Sequence, residues 1–230
     1  ARDGRNVIKM DDFEEAIDRV IAGPARKSRI VSEKQKKIVA YHEVGHAIIG
    51  SSLPNADPVH RISITPRGYA ALGYTLHLPA EDKYLVSKNE LLDNITTLLG
   101  GRAAEELVFG DFTSGAANDI ERATEIARKM VCEYGMSENF GPLAWGKTEQ
   151  EVFLGKELTR MRNYSEDVAR LIDQEIQKII STCYNRAKEI LEKNRAKMEQ
   201  IVAVLLEREV MSGEELRAML NGNDEALQMN

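Results

Sequence analysis

His42-Glu43-Val44-Gly45-His46 lies inside an apolar stretch that also holds Ile38, Val39, Ala47, Ile48 and Ile49. A helix turns ~100° per residue, so two residues four apart differ by only ~40° and project from one face. His42 and His46 therefore stand one turn apart, where two imidazoles can bind a single metal ion at ~2.0–2.1 Å per nitrogen. Glu43, next to the first histidine, is placed to reach a water on that metal rather than the metal itself. In such a centre the metal lowers the pKa of the water to ~7, and the carboxylate takes its proton as the water attacks a polarised carbonyl. Two histidines and a glutamate on a buried helix are costly without partners. The chain has only 4 histidines, so this spacing around a glutamate in an apolar helix points to a hydrolytic metal centre rather than to surface histidines beside a chance carboxylate.

Such a centre needs a third protein ligand and an open position. One common layout puts a third histidine six residues after the second, but Ser52 stands there. His60 and His77 fall in strand-like segments, where alternation directs a histidine to the solvent face. Glu105, Glu106 and Asp119 are the acidic candidates. The glutamate pair follows Gly100-Gly101-Arg102-Ala103-Ala104 near a helix end. Asp119 falls in the first turn of a helix, where the helix dipole alone also favours a carboxylate. From the residues themselves Asp119 and the glutamate pair are tied.

Outward from the pentapeptide the pattern is mostly helical. The chain is mainly α, with a small β-sheet beside the histidine-bearing helix. Residues 11–22 form an amphipathic helix on Phe13, Ala16, Ile17, Val20 and Ile21, ended by Gly23-Pro24. After a linker, a second helix runs from Ser32 to about Leu53. Residues 59–64 alternate apolar and polar with period two, Pro66-Arg67-Gly68 makes a turn, and residues 72–78 are a second strand closed by Pro79. Helices are expected over 87–109, 116–134, 164–192, 196–207 and 212–220, with an irregular stretch over 135–162 and a disordered tail from 221. Cys132 and Cys183 are too few for a disulfide framework and are expected as reduced thiols.

Composition narrows the classes. The 230 residues are 43% hydrophobic and 30% charged, an ordinary globular balance, and the net charge is −6. Phosphate binding needs clustered cations, so nucleic acid is not expected as a partner. No apolar run approaches the ~18–20 residues of a membrane span, and no signal peptide opens the chain. Ala1-Arg2-Asp3-Gly4 begins without Met, so the chain is expected to be a piece of something longer. Gly141-Pro142-Leu143-Ala144-Trp145-Gly146-Lys147-Thr148 matches a phosphate-binding loop. That loop needs a buried strand before it and a helix opening at the Lys-Thr. Ser137-Glu138-Asn139-Phe140 and Glu149-Gln150-Glu151-Val152 supply neither, so no nucleotide-binding residue is assigned.

Taken together these stretches resemble the C-terminal part of FtsH-type, membrane-anchored AAA+ zinc proteases. The resemblance is carried by Asp12-Phe13-Glu14-Glu15-Ala16-Ile17-Asp18-Arg19-Val20, Gly23-Pro24, the pentapeptide, 59–68, Leu98 with Gly100 to Glu106, and Thr113-Ser114-Gly115-Ala116-Ala117-Asn118-Asp119, with Phe153-Leu154-Gly155 similar too. It implies that Asp119 is the third ligand beside His42 and His46, with Glu43 as the catalytic base and one Zn2+ per subunit. It implies a homo-hexameric ring that degrades unfolded or membrane proteins, driven by ATP and Mg2+ through an upstream ATPase module. The full-length protein would be anchored at the cytoplasmic side of the bacterial inner membrane. Residues 1–24 would be the end of the ATPase lid, 25–31 a linker, 32–220 the peptidase domain and 221–230 a tail. The resemblance further suggests an edge strand in which Gly73, Tyr74, Thr75 and Leu76 pair with substrate backbone, Gly73 allowing close approach. Val44 departs from the commoner alanine, at a position that is no ligand.

Two rival readings accompany this one. The apolar stripes Ile172, Ile176, Ile179, Ile180 and Ile201, Val204, Leu205 can serve assembly rather than an internal core. A structural zinc site would be closed by four protein ligands.

Overall fold

The computed structural model describes residues 7–21, 23–24, 31–67, 72–79, 83–146 and 164–222. The linker residues 25–30, the turn at Gly68, Lys147 and Thr148, Phe153-Leu154-Gly155 and the tail from 223 lie outside them.

The pentapeptide sits on α2 (Glu33–Ser52), the second helix after α1 (Met10–Ile21). Ser32 starts α2 with a reciprocal cap. Its hydroxyl accepts from the Gln35 main-chain N–H, and the Gln35 side chain accepts from the Ser32 N–H. From 40 to 50 every residue of α2 is buried. A helix buried all round needs cover on every side, and the remaining elements supply it.

Strands β1 (Val59–Ser63) and β2 (Tyr74–His77) follow, paired antiparallel with Ile62 opposite Thr75 and Ser63 opposite Tyr74. The sequence suggests one helix over 87–109, but the structure divides it at Leu99 into α3 (Lys88–Leu98) and α4 (Gly100–Phe109). The break falls at Gly100-Gly101, where each glycine weakens a helix by ~1 kcal/mol and lets the backbone turn onto α2. A 3-10 turn (Ser114–Ala116) leads into α5 (Ala117–Cys132). The long α6 (Glu166–Lys193), capped by Ser165, and α7 (Arg195–Arg208) complete the helical cover. The expected helix starts and ends fall within about two residues of these.

One strand has no counterpart in the sequence reading. β3 (Val210–Ser212) pairs with β1, Met211 opposite Ile62, giving the order β2-β1-β3 before α8 (Gly213–Asn221). Three residues are too few to show a period, and their partner lies about 150 positions earlier in the chain. Among the described residues β2 is thus an edge strand.

The apolar side chains form two clusters. One gathers α2, α4, α7 and the sheet around Ile48, Ile62, Ile201 and Leu205. The other joins α3, α5 and α6 around Ile95, Met130 and Ile172. Ile172, Ile176, Ile201 and Leu205 are buried within the chain, so much of both stripes is internal core. Cys132 and Cys183 are buried free thiols, and Val44 is fully buried. Residues 141–146 have neither helix nor strand. Trp145 packs there against Phe140 and Tyr164, and its main-chain N–H donates to the Cys132 carbonyl at 2.7 Å. No described helix is long and apolar enough to cross a membrane.

Helices α2 and α4 touch through bare backbone. A methyl group on Gly45 would lie 2.6 Å from the Gly100 carbonyl oxygen and 2.7 Å from Ala104 Cβ. Gly45→Ala gains about 1 kcal/mol in helix propensity. Overpacking against a backbone that cannot rotate away costs about 1–3 kcal/mol and should outweigh that gain. The expected result in thermal unfolding of the metal-free chain is a Tm lower by roughly 2–8 °C. An unchanged Tm would show that the two helices can part freely.

Candidate metal centre

His42, Glu43 and His46 are only 9%, 7% and 8% exposed on the buried part of α2. Asp119 reaches them from the first turn of α5. His42 Nε2 and His46 Nε2 are 3.0 Å apart, and Asp119 Oδ2 is 3.4 Å from each. Ligands bound at ~2.0–2.1 Å on tetrahedral corners stand about 3.3–3.4 Å from one another. The triangle therefore has the dimensions of one face of a metal's coordination sphere. Among the described residues these three form a group able to hold a metal ion, which leaves a fourth corner open.

The far sides of the rings decide which nitrogens carry hydrogen. His46 Nδ1 lies 2.8 Å from the Thr97 carbonyl, which can only accept, so that nitrogen donates. His42 Nδ1 lies 2.7 Å from Glu105 Oε1, whose other oxygen accepts the Thr113 N–H at 2.6 Å. With both rings neutral, lone pairs would point toward each other and toward the Asp119 carboxylate. Three converging electron pairs repel unless a proton or a metal cation lies between them. With Nδ1 oriented by an acceptor, each ring is prepared as an Nε2 ligand.

The electrostatics favour positive charge at this point. Burial opposes a charged His42 ring, but hydrogen bonds to Asp119 and Glu105 and the charge of Glu43 outweigh it, and its pKa is pushed up to about 10. Burial would raise Asp119, yet the two histidines hold its carboxyl well below the usual range. Glu105 is lowered in the same sense: burial is outweighed by His42 and the Thr113 N–H. Glu43 goes the other way, its pKa raised by burial against the pull of His46 and His42.

The tied candidates separate in space. Glu105 meets His42 on the Nδ1 side, away from Asp119. Glu106 faces outward, to Lys188 at 2.8 Å and to the Tyr184 hydroxyl. His60 is exposed on β1, while the His77 ring lies over Gly50 and its Nδ1 donates to the Asp57 carbonyl at 2.9 Å. Neither joins the group.

Four neighbours were missed or read differently from sequence. The Thr97 carbonyl is main chain and leaves no sequence signal. Gly101 has no room for a side chain, because a Cβ would press on Cε1 and Nε2 of His42. The bare side of Gly73 faces α2, where a Cβ would meet Val39 at 2.7 Å and Glu43 Cγ at 3.0 Å. Thr75, on the same strand face, donates to Glu43.

Two histidines one helical turn apart, a neighbouring glutamate and a carboxylate from a separate helix are the donor set that metal-dependent hydrolases use. Residues 29–219 match peptidase family M41, and the chain belongs to that family. Its relatives include proteins named ATP-dependent zinc metalloprotease FtsH. The one from Thermotoga maritima is 70% identical over 221 residues, covering 96% of this chain and 36% of the relative. That from Pseudothermotoga lettingae is 72% identical over 220 residues, covering 96% and 35%. That from Kosmotoga olearia is 60% identical over 216 residues, covering 94% and 34%. The chain thus spans about a third of the length of these relatives.

Two outcomes follow from the ring geometry. A proton held on His42 must leave before Nε2 can bind a cation. Zn2+ added near pH 8 should therefore release about one proton, and affinity should rise about tenfold per pH unit below the His42 pKa. Calorimetry in two buffers of different ionisation enthalpy measures that proton, and binding independent of pH would contradict the assignment. Glu105→Gln should weaken metal affinity by about 10–100-fold while leaving the fold intact, as read by competition with a chelator.

Proposed function

We propose that this chain is a zinc endopeptidase unit in which His42, His46 and Asp119 hold Zn2+, one per subunit, and Glu43 is the general base. The triangle of ligand atoms at 3.0, 3.4 and 3.4 Å carries this reading. The relatives' name, zinc metalloprotease, supports zinc over other divalent ions. Zinc, when bound, polarises the peptide carbonyl and makes water a stronger acid. Glu43 accepts the water's proton as its oxygen attacks the carbonyl carbon. Glu43 then gives that proton to the amine nitrogen as the C–N bond breaks, so one carboxylate serves as base and then acid. A buried carboxyl with a raised pKa suits both roles near neutral pH.

The substrate on this reading is unfolded polypeptide, including membrane proteins. An extended segment would lie along the free edge of β2, taking main-chain hydrogen bonds at Gly73, Tyr74, Thr75 and Leu76 with little sequence preference. Residues 32–220 form the peptidase domain, residues 1–24 the end of an ATPase lid, 25–31 a linker and 221–230 a tail. In the full-length protein an upstream module using ATP and Mg2+ unfolds the substrate. Six copies form a ring, anchored at the cytoplasmic side of the bacterial inner membrane.

Glu43→Gln should keep stoichiometric zinc and lose casein hydrolysis by at least about 100-fold. Near-parental cleavage by that variant would falsify the mechanism. Asp119→Asn should lose the metal in elemental analysis, and stoichiometric zinc in it would move the third ligand elsewhere.

A further inference from the structure

Glu43 is clamped by two positions of one extended segment. Gly73 immediately precedes β2 and Thr75 lies within it, two residues apart and so on one face. Gly73 abuts the Glu43 stem at Cγ. Thr75 Oγ1 holds the head, 2.8 Å from Glu43 Oε2 and 3.0 Å from the Glu43 main-chain oxygen. A hydroxyl has one proton to donate, and an ionised carboxylate is the stronger acceptor. The second contact places that hydroxyl against the helix backbone, so the carboxylate is tied to its own helix through the strand. Glu43 Oε1 takes no hydrogen bond from the described residues, and it is the oxygen left to meet water.

A glutamate has several staggered side-chain conformers. General-base catalysis requires the carboxylate within hydrogen-bond reach of the water, and misplacement by about 1 Å can cost about 100-fold in rate. Thr75 selects one conformer. Its own position is set by β1, through the pairing of Thr75 with Ile62, and β2 is the edge strand of the sheet.

We propose that Thr75 is a positioning residue for hydrolysis: its hydroxyl fixes the Glu43 carboxylate with Oε1 turned toward the attacking water, and does so from the strand along which the substrate lies. This rests on Glu43 acting as the base. The clamp is complete without substrate, so a peptide added to the free edge of β2 would meet a base already aligned.

The test compares Thr75→Val, which keeps the shape and removes the hydroxyl, with Thr75→Ser, which keeps the hydroxyl. Zinc-loaded protein is assayed with a short unstructured fluorogenic peptide. The expected result for Thr75→Val is a kcat about 10–100-fold lower with KM within about twofold and zinc stoichiometry unchanged. Thr75→Ser should recover most of that loss. If Thr75→Val unfolds or loses zinc, Thr75→Ala against Thr75→Ser makes the same comparison. A parental kcat in the hydroxyl-free variant overturns the proposal. So does a loss that appears only in KM, because Thr75 would then act in docking alone. Glu43→Gln, assayed in parallel, separates the two ideas. If it still hydrolyses peptide, the reading of the base fails. If it is inactive while Thr75→Val is normal, only the role of Thr75 fails.

Discussion

The convergence of three electron-rich atoms at one buried point is the constraint on which the rest of the structure depends. His42 Nε2, His46 Nε2 and Asp119 Oδ2 lie within 3.0–3.4 Å of one another, and in a site of low polarity they repel unless a positive charge lies between them. Each ring is anchored from behind, one by Glu105 and one by the Thr97 carbonyl. Without metal that charge is the proton His42 holds. On the proposed reading, the retained proton and the affinity for the metal have the same origin.

That convergence requires α2 and α4 to meet closely. Gly45 and Gly100 bring the two backbones together, and Gly101 leaves space for the His42 ring. Gly100 and Gly101 also stand where the helix breaks at Leu99. The break is therefore useful: α3 offers the Thr97 carbonyl to one ring and α4 offers Glu105 to the other. A single straight helix over 87–109 would hold those two groups on one fixed axis.

The sheet serves the neighbouring carboxylate. β3 comes from the far end of the chain and pairs with β1, which pairs with β2, which holds Thr75 against Glu43, with Gly73 just before it. A segment around Met211 thus supports a residue at position 43 across two strand pairings. This explains why a mostly helical chain keeps three short strands. A strand presents alternate residues at fixed spacing along a helix, and its outer edge stays open.

Much of this was legible in the sequence where the signal is local. The four-residue spacing of His42 and His46, the glutamate between them, the helix start at Ser32 and the helical stripes all follow from the period of a helix and the chemistry of its ends. The family resemblance added Asp119. Spacing could not separate Asp119 from Glu105, because both are carboxylates and they differ in which nitrogen of His42 they face. Nor could it show the Thr97 carbonyl, the contact of Thr75 with Glu43 or strand β3. Those depend on which backbones approach across 30 to 150 residues of chain, and a contact of that kind leaves no period to read. The sequence by itself determined which atoms could bind a metal. Tertiary structure alone decided which of them converge, because convergence is set by the packing of α2 against α3, α4 and the sheet, and of α5 against α3.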